Sequence, residues 1–372
     1  MSTIIRTRSP FFIRTPNETS SSLSYFNIQI TIKEGTTTSN ICGDLSTQYI
    51  LNKKPITGED SVTIEISEII NDFFTNDFPQ ATVNQQSFWV LVVTTAKEAD
   101  GTTIGTGTTT TYLAQEGYNE FKDGVNYTAE PNLMISSNYI QYKKGQSIKI
   151  PVNVEKVNTV EFKYNGSVIS TNSVSDSTES GSKIKYISQS TSSNQIDEIV
   201  ITYDTTSTRN IKVEEVDECK YPVNKITFLN KWGAYENLYF FKKSTESLET
   251  QKENFNRSIF QTRKPTSRLL GEVCTTTYTY NVYDTNQHMN KTFNANGTET
   301  LQLNTGFVSE SMNDSFRELM VSEYVWLTDS LNNVLPVTLK DSSLTYKTGL
   351  NDKMINYTMS FEKSFKLINN VR

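Results

Sequence analysis

Tyr25-Phe-Asn-Ile-Gln-Ile-Thr-Ile32 sets Phe26, Ile28, Ile30 and Ile32 on one side of the chain and Asn27, Gln29 and Thr31 on the other. A period of two is the mark of a strand with one face buried. Upstream, Arg8-Ser-Pro-Phe-Phe-Ile-Arg14 reads as an extended arm or edge strand stiffened by Pro10 and Pro16. Downstream the period changes: Ile66, Ile69, Ile70, Phe73 and Phe74 recur at helical spacing, which predicts a short amphipathic helix ending before Pro79. Phe88-Trp-Val-Leu-Val-Val93 is then a continuous apolar run, as a central strand requires. The Thr/Gly stretch from Gly101 to Thr111 is expected to be a hairpin tip or an exposed loop. A sandwich with an inserted helix over residues 1–130 follows from these elements.

Beyond it the strand signals become dense. Ile148, Ile150, Val152 and Val154 alternate, and Val160-Glu-Phe-Lys-Tyr164 runs into Asn165-Gly166, the strongest short-range hairpin signal. Lys183–Ser188, Glu198–Tyr203 and Ile211–Val216 are further strands, with Ser/Thr/Asn-rich loops expected over Ser170–Ser182 and Ser188–Asn194. Residues 131–220 are expected to form a small sandwich. From 221 to 372 a β-rich domain with a short helix is expected. It opens with Ile226-Thr-Phe-Leu-Asn-Lys-Trp-Gly-Ala-Tyr-Glu-Asn-Leu-Tyr-Phe-Phe241, two apolar strands around a turn at Gly233. A polar stretch, Lys242 to Ser267, separates this hairpin from the next strand, where Tyr278, Tyr280 and Val282 alternate. Met312, Phe316, Leu319 and Met320 share a helical face with Ser309 or Ser311 as N-cap. Val334–Leu339 and the alternating Ile355, Tyr357, Met359 and Phe361 close the fold. The fold class is therefore mainly β, with two to three sandwich domains and one or two short inserted helices.

Composition agrees. The 372 residues suit two or three domains, and Tyr (19) and Phe (19) join abundant Thr in favouring strands. A net charge of −6 disfavours a general nucleic-acid binder and docking on an anionic membrane. Cys42, Cys219 and Cys274 are an odd number at wide spacing, neither a disulfide framework nor a zinc site. No apolar run has the length of a membrane span, and no signal peptide is read at the N-terminus.

Catalytic inventory is poor. His288 is the one histidine, in the polar segment Asp284–Lys291, and no cysteine or serine sits in a nucleophile motif beside it. It reads as a solvated loop residue. The acidic run Glu214, Glu215, Asp217 and Glu218 follows a strand and reads as a solvated edge rather than a glycosidase carboxylate pair. Asn294-Ala-Asn-Gly297 reads as a turn, lacking the ligand spacing of a calcium loop. No phosphate-binding glycine motif is present, so no metal, cofactor or enzymatic activity is expected. Trp232, Tyr235, Tyr239, Phe240 and Phe241 read as core or interface before sugar platform.

Four stretches carry a resemblance. They are Arg8-Ser-Pro-Phe-Phe-Ile13, Leu113-Ala-Gln-Glu-Gly-Tyr-Asn-Glu-Phe-Lys-Asp-Gly-Val-Asn126, Ile226–Glu236, and the ending from Asn304-Thr-Gly-Phe through Val325-Trp-Leu to Asn351–Tyr357. Together they resemble structural tail proteins of phages infecting Bacteroidetes-type bacteria, most of all a tail-ring protein of crAss-like podoviruses. The resemblance implies a virion subunit, assembled in the bacterial host cytoplasm, forming a closed ring of identical copies stacked on other tail or portal-proximal proteins. DNA would be passing cargo only, and no membrane would be a partner. The interface residues expected are Phe11, Phe12 and Ile13 in the arm and Trp232, Tyr235 and Tyr239 in the hairpin, each of which also suits ordinary core packing. The alternative is a carbohydrate-binding adhesin or receptor-binding tail protein.

Overall fold

The computed structural model describes residues 3–35, 41–42, 49–74, 78, 87–127, 131–174, 184–192, 194–204, 206–218, 220–263, 280–283, 285–348 and 355–368. It is mainly β, 53% strand against 6% helix.

The first region comprises β1 (Thr3–Arg6), β2 (Phe12–Arg14), β3 (Tyr25–Gly35), β4 (Ile41–Cys42), β5 (Tyr49–Lys53), β6 (Thr63–Glu65), α1 (Ser67–Asn71), β7 (Ser87–Lys97) and β8 (Thr103–Gln115). Its main sheet runs β1-β8-β7-β3-β4, with β5 also on β3. β7 lies between β8 and β3, and residues on both of its faces are buried, Trp89 on one and Val90 and Val92 on the other, which is why its apolar run is continuous. The alternating face of β3 packs with Val90 and Val92 of β7, and Ile66 just before α1 and Ile70 within it add to that core. α1 stops at Asn71, short of the predicted extent, yet Phe74 beyond it still reaches the core. Pro79 lies outside the described residues.

One expectation is overturned here. Thr103–Thr111 is neither loop nor tip but the first part of β8, and the turn lies just before it, with Gly101 at φ +92°. Threonine is β-branched and suits a pleated surface, and this run is largely exposed, so it shows no apolar alternation.

The second region contains β9 (Tyr139–Lys143), β10 (Ile148–Asn153), β11 (Val157–Tyr164), β12 (Ser167–Ser173), β13 (Ile184–Gln189), β14 (Glu198–Tyr203) and β15 (Ser207–Val216). Five strands in the order β12-β11-β14-β15-β9 form one sheet and β10-β13 another. Ile148, Ile150 and Val152 of the smaller sheet share a core with Val160, Phe162, Ile199, Ile201 and Ile211 of the larger, a sandwich in miniature. Asn165 (φ 48°) and Gly166 (φ 76°) make the left-handed turn joining β11 to β12. The predicted loop from Ser170 is strand as far as Ser173. Its 175–182 portion, Cys219, Cys274 and Tyr278 lie outside the described residues.

The third region holds β16 (Asn224–Leu229), β17 (Tyr235–Phe240), β18 (Thr245–Asn256), β19 (Gln261–Arg263), β20 (Tyr280–Val282), β21 (Asn290–Phe307), α2 (Asn313–Met320), β22 (Val325–Thr328), β23 (Val334–Leu339) and β24 (Asn356–Lys363). Seven strands run β17-β16-β22-β23-β24-β21-β18. The chain leaving β17 donates from Lys242 N to the Asn304 carbonyl of β21 at 3.1 Å, so the sheet curls back towards itself. Phe316 and Leu319 of α2 fill the curl against Phe240, Tyr357 and Phe361. Ser309 caps the one-turn 3-10 helix before α2 by accepting from Ser311 N.

Two further expectations fail in this region. Most of the polar stretch from Lys242 is strand, β18 and β19, and Asn294–Gly297 lies inside β21 rather than at a turn. β18 is exposed along its whole length and Asn294 with it, while Ala295 and Asn296 are half-buried and Gly297 is buried, and neither stretch has an apolar alternation to mark it.

Candidate interface and the junction behind it

The six residues expected at an interface have different surroundings. Phe11 and Ile13 sit in the first core, Phe11 edge-on to Tyr112 at 5.5 Å between ring centroids. Tyr235 packs with Leu229 and Trp326, and Tyr239 with Val216 and Val223. Those four face the chain's own interior. Phe12, alternating with its neighbours on β2, is 37% exposed, and Trp232 is half-buried. Asn126 holds the Phe12 backbone on both sides, accepting from its N–H at 2.7 Å and donating to its carbonyl at 2.6 Å. The same loop presents Phe121 wholly in solvent on a one-turn 3-10 helix closed by reciprocal Glu120 and Asp123 caps.

The remaining candidates disperse. His288 is exposed, and its carbonyl accepts from Arg257 Nε at 3.2 Å. Within the acidic run each carboxylate has its own donor: Gln141 for Glu214, Tyr142 for Glu215, Lys144 for Asp217 and Lys242 for Glu218. Among the described residues no three His, Cys, Asp or Glu come together as metal ligands. No described helix is long and apolar enough to cross a membrane.

The four stretches that carry the resemblance instead meet at a polar junction. Residues 116–118 cross the β16–β17 turn at backbone contact, with Tyr118 N donating to the Lys231 carbonyl at 2.9 Å. Both partners need glycine there. A Cβ on Gly117 would lie 2.5 Å from the Lys231 carbonyl oxygen, and one on Gly233 (φ +77°) would collide with the Glu116 carbonyl. Arg6 reaches in from β1, donating to Gln115 Oε1 at 2.7 Å and the Trp232 carbonyl at 2.8 Å. Arg8 donates to the Val321 carbonyl at 2.9 Å and pairs with Glu323 at 3.1 Å.

At the centre lie two buried carboxyls. Glu236 of β17 accepts from Ser315 Oγ and, at 3.3 Å, from Asn230 Nδ2. Glu318 stands three residues after Ser315, on the same face of α2, and accepts from Ser136 Oγ and, at 3.3 Å, from Lys231 N. Lys231 Nζ stands 3.8 Å from Glu318. Burial, reinforced by the neighbouring Glu318, pushes Glu236 up to about 7. Burial also raises Glu318, against the pull of Ser136 and Lys231. Glu116 is pushed up to about 7 by burial and by Glu323, opposed by Arg8.

Beside Glu318 opens a cavity of about 170 Å³ lined by Tyr118, Glu120, Lys122, Lys231, Asp314 and Arg317. Most of its charges are paired: Arg317 with Glu120 at 3.0 Å, Lys122 with Glu120 at 2.7 Å and Lys231 with Glu318 at 3.8 Å. The junction holds distant segments together, although Gln115 Nε2, Glu116 Oε2 and Trp232 Nε1 are buried there with no hydrogen-bond partner among the described residues. Sequence reasoning missed Arg6, Glu236, Ser315 and Glu318 as a group. The one local signal was Glu236 beside the apolar residues of β17 and Glu318 next to Leu319 on α2. No protein-family model matches the sequence, and comparison with curated proteins finds no match.

Proposed function

We propose that the chain is a structural subunit of a tailed-phage virion, forming an oligomeric ring in the tail by self-association and stacking on neighbouring tail proteins. The observation that carries this reading is the β18–β21 ribbon. All twelve residues of β18 are exposed, it is the last strand of its sheet, and the ribbon has no core of its own. Such a ribbon is marginal alone and gains its place by being covered. Open sheet edges and projecting hairpins are how one subunit meets another by strand addition. The junction adds a second support, since it ties distant parts of the chain into a unit able to transmit load between neighbours. A ring needs two different complementary faces on each copy, with a rotation that closes.

The test is quantitative peptide mass spectrometry on phage particles that contain the chain, paired with electron microscopy of their tails. A copy number matching one closed ring around the tail axis is expected. Absence from the particle, or a location on projecting fibres in small multiples of three, would overturn it, the latter in favour of a receptor-binding protein.

A further inference from the structure

The ribbon leaves the seven-stranded sheet at a definable point. β24 accompanies β21 only as far as Thr300, and the chain after β24 follows to Asn296, where Ile368 N donates to Asn296 Oδ1 at 3.2 Å. Past that point, among the described residues, β18 and β21 pair only with each other, from Lys252↔Ala295 to Asn256↔Asn290. Arg257 N still bonds the Met289 carbonyl at 2.9 Å, and β19 pairs with β20 from Gln261↔Val282 to Arg263↔Tyr280. From Lys252 to Arg263 this is a projection of up to about 40 Å at the usual rise per residue.

Its surface is not that of an idle loop. Phe255 lies opposite Lys291, with Met289 two residues from Lys291 on the same face, and Phe293, the extra residue at the register shift, is exposed beside them, so three exposed apolar side chains gather within a short length of ribbon. Further out, Phe260 and Tyr283 stack edge-on across the ribbon at 5.8 Å while 68% and 57% exposed. A bulge between Glu253 and Asn254 twists the ribbon just where Phe293 protrudes. Charge sets this segment apart as well. The described ribbon residues, 252–263, 280–283 and 285–294, contain four Lys or Arg and one Glu, a net +3 within a chain of −6, so the rest of the sequence carries −9.

We propose that this ribbon is an intermolecular arm whose partner is the acidic body of a second copy of the same chain. The inference rests on the ring reading and adds its contact. Apolar side chains with a basic surround match an acidic protein face, whereas a nucleic-acid backbone would satisfy the charge and leave Phe255, Met289 and Phe293 wet. Because arm and body are different surfaces of one chain, the contact is heterologous, the kind that propagates around a ring.

Three proteins test it: the full chain, a variant in which Asn-Gly joins Lys252 directly to its cross-strand partner Ala295, and the full-length double variant Phe255→Ser, Phe293→Ser. Native mass spectrometry and sedimentation velocity at high micromolar concentration give the assembly state, with circular dichroism as the check on folding. The full chain is expected to assemble, the armless variant to be a folded monomer, and the double variant to associate at least about tenfold more weakly. If both variants assemble like the full chain, the arm contact is wrong while the ring reading stands. If the full chain is itself monomeric, the ring reading falls with it. An arm-dependent shift of a DNA duplex, with no effect on self-association, would overturn the second copy in favour of nucleic acid. Should the armless variant fail to fold, the double variant alone decides, since its changes are on solvent-exposed positions.

Discussion

Replacing Glu236 by Gln should make the protein more stable at neutral pH and blunt its dependence on pH. Glu236 is held between Ser315 and Asn230 with Glu318 beside it, and burial lifts it from the usual 4.5 to about 7. Above pH 4.5 an unfolded carboxyl has released its proton while the folded one keeps it, so the folded state binds more protons across that window. Stability therefore falls as pH rises through the window and levels off once the folded group has ionised. At about 1.4 kcal/mol per pKa unit the loss is about 3 kcal/mol. Glutamine keeps the shape, still accepts from Ser315 or Asn230, and carries no charge to bury. Urea unfolding followed by Trp fluorescence, repeated between about pH 5 and 8, reads this directly. The wild-type midpoint should drop across the series and that of Glu236→Gln should drop much less. Glu116 has the same sign, so a residual slope is expected. A wild-type midpoint that rises with pH, or an unchanged slope in the variant, would refute the reasoning.

Three more outcomes follow from the same geometry. Gly233→Ala should cost about 2 kcal/mol or more, because the position combines φ +77° with a collision against the Glu116 carbonyl; a neutral thermal melt would contradict the backbone crossing. Phe316→Ala should cost about 3–5 kcal/mol by emptying the space between Phe240 and Tyr357, visible as early loss of the near-ultraviolet signal on heating. Phe121→Ser should leave the unfolding free energy of the isolated chain, read by urea titration, unchanged to within about 0.5 kcal/mol, since its ring touches only solvent; a large loss would mean that the loop packs inward.

Much of the fold was readable where one face of an element is buried. The alternation of Phe26, Ile28, Ile30 and Ile32, the apolar run from Phe88 and the Asn165-Gly166 turn each announced the strand or hairpin that formed. What escaped lacks a buried face or depends on distant partners. Thr103–Thr111 and Thr245–Asn256 are strands held by their neighbours' backbones, so their side chains have no reason to alternate. The parallel pairings of β1 with β8 and β9 with β15 are set by sequence-remote contacts. The junction was invisible for the same reason: Ser136, Asn230, Glu236 and Glu318 are unremarkable in sequence and become a site only when packed. Aromatic content in the hairpin around Gly233 was legible, but not that Tyr235 and Tyr239 turn inward.

Arg6 has a timetable built into it. One of its acceptors, the Trp232 carbonyl, lies 226 residues further along the chain, and the strand beside it, β8, ends at Gln115. A ribosome adding roughly 5–20 residues per second needs on the order of 10–45 s to cover that distance. During that interval β3 and β7 can pair and the second sandwich can close around its own core, while Arg6 waits for its second acceptor. Docking of the 116–118 segment needs that same turn, and the Glu318 carboxylate that accepts from Lys231 N is made only 87 residues after it. A chain released before α2 would thus hold folded sheets without the last part of their clasp, which makes the junction a late event of synthesis as much as a fastening.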